Sequence, residues 1–294
     1  MNRRLPVSKP LVIMVFATLI LVPATVSGES SVWVATSGGN TVYLGGTFHL
    51  LRPSDYPVPE EFETAYEQAD VVYFETDVAA MSDPAFAAQM MQHLTYPEGL
   101  SLTDVIEDDT YAELVDYLAG FGVPKGSFEM LKPGILVSTL ETLEFLRLGF
   151  QPSGVDVHFT QRAISDDKPR LSLETTDEQV QLLATMGEGY EDDLISEYLD
   201  DVQEFDTSID ELVTAWRTGD TKAMNRLFVD DLKGTLRPMY DSLIVERNEN
   251  WLPVILSMFN DAPTELVLVG AGHLTGPDGL VTMLRGLGYS VEKL

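Results

Sequence analysis

The stretch that most constrains this chain lies near its C-terminal end, Glu265-Leu-Val-Leu-Val-Gly-Ala-Gly-His-Leu274. Leu266 to Gly270 is apolar throughout and β-branched at Val267 and Val269, which reads as a buried strand. Gly270 and Gly272 let the backbone turn sharply and approach whatever lies beyond the strand end. His273 is thereby delivered at the open edge of an α/β sheet, where sites tend to form. Far upstream, Thr41-Val-Tyr-Leu-Gly-Gly-Thr-Phe-His49 repeats the design. Both are Gly-x-x-His, Gly46 to His49 and Gly270 to His273, and together they use two of the four histidines.

Charge and composition limit what such a sheet can serve. With 294 residues and 45% hydrophobic content the chain can bury a full core. A net charge of −29, from 47 acidic and 18 basic residues, excludes nucleic acid as a partner. It is compatible with a salt-rich setting, where screening weakens self-repulsion. The absence of cysteine removes disulfides, thiolate metal sites and a Cys nucleophile.

Residues 1–28 read as an export signal: Arg3, Arg4 and Lys9 precede the apolar run Leu11 to Val22, and Val26-Ser-Gly28 offers a cleavage site. The competing reading is an uncleaved anchor, for which the run is short. Either way the domain 29–294 is expected to be exported, periplasmic or extracellular. That placement suits a hydrolase or binding protein.

In chain order, Val32–Ala35 and Thr41–Leu44 read as a hairpin around Ser37-Gly-Gly-Asn40. Glu60–Ala69 reads as a helix, Val71–Glu75 as a strand ending in a carboxylate, and Pro84–Leu94 as a helix capped by Asp83. Further helices are expected over Asp109–Phe121, Ile135–Leu148 and Gly154–Ile164. Arg170–Glu174 repeats the strand-ending-in-Glu pattern. Helices then run over Asp177–Met186, Asp192–Trp216, Thr221–Phe228 and Asp241–Met258. Pro277–Leu287 and the strand Tyr289–Glu292 close the chain. The expected fold class is α/β (α+β), a mixed sheet built from both chain ends with a large helical insertion.

Several blocks together carry a resemblance: Tyr43-Leu-Gly-Gly-Thr-Phe-His49, Ala69-Asp-Val-Val-Tyr-Phe-Glu75, Gly154-Val-Asp156, Leu173-Glu174, Glu246-Arg-Asn248 with Trp251, Val269-Gly-Ala-Gly-His-Leu274 and Gly288-Tyr-Ser-Val291. In this order they resemble the TraB/GumN family, related to the Tiki metalloproteases. Gly45 departs from the pattern, where larger residues are more usual. The resemblance implies a divalent metal held by His49, Glu75 and His273.

Two imidazoles and a carboxylate suffice chemically for Zn, Mn, Co or Fe with positions left for water, and a metal so held would activate that water. His-Glu-x-x-His is absent, so the site would not be a zincin. The competing reading makes both histidines core residues satisfied beside tight turns. Arg247 is a candidate for binding a substrate carboxylate or a developing oxyanion, or else a surface or interdomain salt bridge among many carboxylates. Glu174 is a candidate general base or orienting partner of the site, or a helix N-cap. Of Asp156 and His158, two apart on a helix, one would orient the site. The acidic run Glu188 to Asp201 reads as a solvated helix face. A dinucleotide-binding unit is mimicked by Gly270-Ala-Gly-His-Leu-Thr-Gly276 with Glu292 about twenty residues on, but the chain stops soon after.

The leading expectation is therefore a divalent-metal-dependent hydrolase acting on peptide bonds, with catalytic candidates Glu75, Arg247 and Glu174. Its partners would be a peptide or small molecule. The rival class is a non-catalytic protein that sequesters a signalling peptide or other small ligand; haem binding is a third reading.

Overall fold

The computed structural model describes residues 30–294 except 82, 203 and 204. The expected export signal thus lies outside the described residues. Strands β1 (Val32–Ser37) and β2 (Asn40–Thr47) form an antiparallel hairpin. Its tight turn has Gly38 at φ 60 and Gly39 at φ 98, backbone conformations that cost other residues a Cβ clash. Helix α1 (Glu60–Gln68) then leads to β3 (Val71–Phe74). Much later come β4 (Arg170–Ser172), β5 (Glu265–Gly270) and β6 (Ser290–Lys293). The sheet order is β4-β3-β5-β2-β1-β6. The first four run parallel, while β1 is antiparallel to both of its neighbours.

The sheet is therefore drawn from both ends of the chain, with one edge strand supplied by the middle. Central β5 is buried along Glu265 to Val269, which is why its sequence reads as an uninterrupted apolar run after the first residue. The dinucleotide reading fails on this topology. Strand β6 pairs with β1, and both β2 and β1 separate it from β5, so no βαβ unit of adjacent strands follows Gly270.

The helices between β3 and β5 include α2 (Pro84–Leu94), α3 (Asp108–Gly120), α4 (Pro133–Arg147), α5 (Val155–Ser165) and α6 (Thr176–Thr185). Asp83 caps α2 through Ala85 and Phe86 N–H, as expected. Within the segment expected as a helix over Asp192–Trp216, the described residues form α7 (Glu191–Asp201) and α8 (Phe205–Thr218). Leu194, Ile195 and Leu199 of α7 face inward while Asp193, Asp200 and Asp201 stay exposed, the solvated face expected of the acidic run. The segments expected over Thr221–Phe228 and Asp241–Met258 also differ. Each contains a π-helical stretch, Asn225–Asp230 and Asp241–Val245. The second runs straight into α9 (Glu246–Met258) and re-aims the face carrying Arg247 and Trp251. The closing helix α10 (Leu280–Gly286) starts later than Pro277.

One core packs on the sheet, with Trp33, Phe62, Tyr66, Phe159, Trp216 and Trp251 as its largest members. A second, built from Leu102, Leu114, Leu136, Leu140 and Ile195 among others, belongs to the helical insertion. At Gly45, Leu268 and Phe62 fill the space beside the backbone. A Cβ there would lie 2.7 Å from Leu268 Cδ2.

At the N-terminal end of β5, Glu265 is 2% exposed and its Oε2 has no hydrogen-bond partner. Burial, then the neighbouring Asp261 and Asp70, push its carboxyl up from 4.5 to about 7. A folded-state value above the unfolded one means that the folded protein holds the extra proton. The penalty is absent below pH 4.5, grows as pH rises, and is complete above pH 7. Glu265→Gln is therefore expected to stabilise the fold at pH 8 by about 2 kcal/mol, once water around the exposed Asp70 and Asp261 is allowed for. Denaturant midpoints at pH 8 and pH 4 check this: the advantage should vanish in acid.

Candidate active site at the sheet edge

Parallel pairing brings three loop starts together. Thr47 of β2 lies opposite Gly270 of β5, and Phe74 of β3 opposite Leu268. All three strands end on the same edge. Glu75 follows β3 directly, His49 lies two residues beyond β2, and His273 closes a 3₁₀ turn, Ala271–His273, after β5. Gly270 is the point they share. A Cβ there would lie 3.3 Å from Glu75 Oε1, 3.6 Å from His273 Cδ2 and 3.7 Å from His49 Nε2. Its backbone N–H donates to Glu75 Oε1 at 2.6 Å. The glycine thus serves close approach rather than a left-handed turn.

Arg247 stands in the middle of this group. Its side chain is 12% exposed, not the surface residue of the competing sequence reading. Nη2 donates to Glu75 Oε2 at 2.5 Å and to Glu174 Oε1 at 2.7 Å, and Nε donates to Glu174 Oε2 at 3.0 Å. Nη1 reaches His273 Nε2 at 3.0 Å. Glu174 also accepts from Trp251 Nε1 at 3.1 Å, and the guanidinium lies 4.4 Å above the Trp251 ring. Glu174 is not a helix cap: Thr175 takes that place, in a capping box with Glu178. Burial raises the Glu75 carboxyl, but Arg247, then His273 and His49, more than reverse this and hold it well below the usual range. Burial prevails at Glu174, raising it despite the same guanidinium.

The two histidines are oriented differently. Asn248 Nδ2 donates to the carbonyls of His273 and Asp278, which leaves its Oδ1 as the acceptor facing His273 Nδ1 at 2.9 Å. His273 therefore carries its proton on Nδ1 and presents the Nε2 lone pair to Arg247. Burial, with Arg247 nearby, lowers it to about 3 and keeps it neutral. His49 Nδ1 lies 2.8 Å from Asp156 Oδ2, and Thr47 donates to the other Asp156 oxygen at 2.9 Å. Asp156 raises His49 to about 9. The His49 side chain is 59% exposed, which makes it the group an incoming molecule meets first. Asp156 rather than His158 orients the site: His158 turns to Glu63 and the Tyr56 ring. Gly154 makes this possible, because its N–H and that of Val155 donate to the carbonyls of His49 and Phe48, docking the start of α5 on the β2 exit.

The donor types suit a divalent cation, and each imidazole has its Nδ1 held so that Nε2 faces the centre. Their arrangement does not suit one. Arg247 occupies both Glu75 Oε2 and His273 Nε2, and among the described residues no group of three His, Asp or Glu side chains is disposed to hold a metal. Every site residue read from the sequence, His49, Glu75, Glu174, Arg247 and His273, is nevertheless brought to this edge. Asn248 adds a positioning group to which the sequence pattern assigns no role, although it stands beside Arg247 in the chain.

The profile of the TraB/PrgY/gumN family matches residues 31–293. The chain is 23% identical over 303 residues to metalloprotease TIKI1 of Danio rerio, covering 85% of this chain and 60% of that protein. It is 23% identical over 270 residues to the uncharacterized protein YbaP of Escherichia coli (strain K12), covering 89% of this chain and 96% of that one. TIKI1 of Xenopus tropicalis is 22% identical, with 85% and 58% covered. The chain thus spans about 60% of the length of TIKI1. No solved structure matches.

Proposed function

The chain belongs to the TraB/PrgY/gumN family, and from that premise we propose that it is an exported hydrolase that cleaves peptide bonds at the edge formed by His49, Glu75, Glu174, Arg247 and His273. The observation that carries this reading is the meeting of the two Gly-x-x-His histidines with Glu75 around Gly270. The printed name of TIKI1 adds a metal-dependent peptidase as the class. A divalent cation enters this reading on that ground alone, since in this structure Arg247 occupies Glu75 Oε2 and His273 Nε2.

His49 is the residue in position to act on a bound peptide. Asp156 holds it protonated at neutral pH, so that as a water oxygen bonds to the carbonyl carbon and the C–N bond breaks, Nε2 can give its proton to the leaving amine and regain one from the added water. Glu75 stays ionised through Arg247 and fixes the Gly270 backbone on which both neighbours depend. The second reading, a protein that sequesters a peptide without cleaving it, draws on Arg247: its Nε, Nη1 and Nη2 are all engaged within the chain.

Incubation of the purified protein with a peptide library, with and without chelator, decides between them. Cleavage should fall about 100-fold or more in His49→Ala and in Glu75→Gln. Peptide retained but uncut by the wild type under every condition would favour the sequestering protein. Cleavage unchanged in both variants would place the chemistry elsewhere.

A further inference from the structure

We propose that Glu141 of α4 is the base that takes the proton of the attacking water, facing His49 across an open cleft between the helical insertion and the sheet edge. The proposal rests on the hydrolase reading above, in which His49 is the acid and the first acceptor of the water's proton is not named. Helix periodicity puts Glu141 on the inward face of α4. Val137 and Phe145, one turn before and one turn after it, are 6% and 8% exposed, and Gly134 on the same side is buried. Thr139, Thr142 and Leu146 form the outward face. Glu141 is nevertheless exposed. An inward position that water reaches lines a cleft. The other wall carries His49. After α4 the chain returns to the β2 exit, where Leu51 and Gln151 exchange backbone hydrogen bonds of 3.2 and 3.0 Å. Phe48 and Leu50, on either side of His49, pack on the cluster that contains Phe145. Surrounding protein raises the Glu141 carboxyl above its ordinary value, and His49 is close enough for its charge to oppose that rise.

The carboxylates of the sheet edge are all engaged. Glu75 accepts from Arg247 and the Gly270 N–H, Glu174 from Arg247 and Trp251, and Asp156 from Thr47 and His49. Glu141 makes no hydrogen bond or ion pair with another of the described residues. A free carboxylate raised by its surroundings accepts a proton more readily than one held by a guanidinium. With a peptide in the cleft, a water beside Glu141 forms the new C–O bond at the carbonyl carbon as its proton passes to the carboxylate. The C–N bond breaks as the nitrogen takes the His49 proton. The proton on Glu141 then crosses to His49, which restores both groups and leaves a carboxylic acid and an amine.

The test is steady-state cleavage, by the purified full chain, of a peptide that the wild type cuts in the library. Glu141→Gln should lower kcat about 100-fold or more while KM changes less than about twofold. Glu141→Ala should lose as much and regain about tenfold or more when formate is added, because a small carboxylate can enter a vacated position that is open to water. Circular dichroism and urea midpoints of both variants should match wild type, since the Glu141 carboxylate holds no other group in place. Full kcat in both variants beside an inactive His49→Ala would overturn the base and leave the hydrolase standing. A raised KM at unchanged kcat would make Glu141 a substrate contact, and a loss that formate does not restore would make its part structural; either overturns the proposal. A wild type that cuts no peptide would remove the hydrolase reading and this proposal with it.

Discussion

Replacing Gly154 by alanine is expected to lower stability by about 4 kcal/mol and to separate Asp156 from His49. A Cβ at this position would lie 2.1 Å from the Phe48 carbonyl oxygen and 2.3 Å from the His49 carbonyl carbon and oxygen. These are backbone atoms, and the hydrogen bonds from Gly154 and Val155 N–H pull the two segments into that contact. No rotamer change relieves it, so α5 must lift away from the β2 exit. Its first turn carries Asp156, hence the stability loss and the loss of His49 orientation share one cause. Gly45→Ala is the internal control. There the nearest atom, at 2.7 Å, is the tip of Leu268, which can turn aside at about 1 kcal/mol. Urea midpoints rank the two, and the His49 imidazole resonances report the second effect. A Gly154→Ala protein no weaker than Gly45→Ala would contradict the close docking described here.

What the sequence made legible was governed by short-range pattern. Gly-x-x-His at the end of an apolar strand, seen twice, fixes where two imidazoles stand once the strands are parallel neighbours, and Val71–Glu75 adds the carboxylate by the same logic. The family resemblance supplied the link between these blocks, which no local pattern contains. Hidden from pattern were the groups that depend on packing between distant segments. Asp156 acts on His49 from 107 residues away, and Arg247 on Glu75 from 172. A surface ion pair and a buried guanidinium at the centre of a site look the same in a sequence where 47 residues are acidic. The π-helical turn before α9 escaped for a related reason. Apolar spacing constrains which face is buried, but a single inserted residue in the turn changes where that face points.

Arg247→Met is expected to cost about 3–5 kcal/mol at neutral pH, the loss associated with removing one partner of a buried ionic group. The methionine fills much of the arginine stem but leaves Glu75 and Glu174, with side chains 8% and 9% exposed, facing each other without a cation. It also leaves the His273 Nε2 lone pair bare. The pH dependence follows from the shifts. In the wild type Glu75 is held below its unfolded value, so its contribution to stability is present above pH 4.5 and is lost as pH falls through the folded value. Without Arg247 the largest lowering influence is gone and burial raises the same carboxyl. The variant should then behave oppositely, gaining relative to wild type as acid protonates Glu75 and Glu174. Glu75→Gln placed in the Arg247→Met background should restore part of the loss at pH 7, because it removes one of the two unpaired charges, whereas Glu75→Gln alone should destabilise by stripping Arg247 of a partner. That reversal of sign is a coupling between two residues in contact, measurable as a double-mutant cycle in urea. Additive losses, or an Arg247→Met deficit unchanged from pH 7 to pH 5, would mean that the guanidinium does not bind the cluster together as its four contacts indicate.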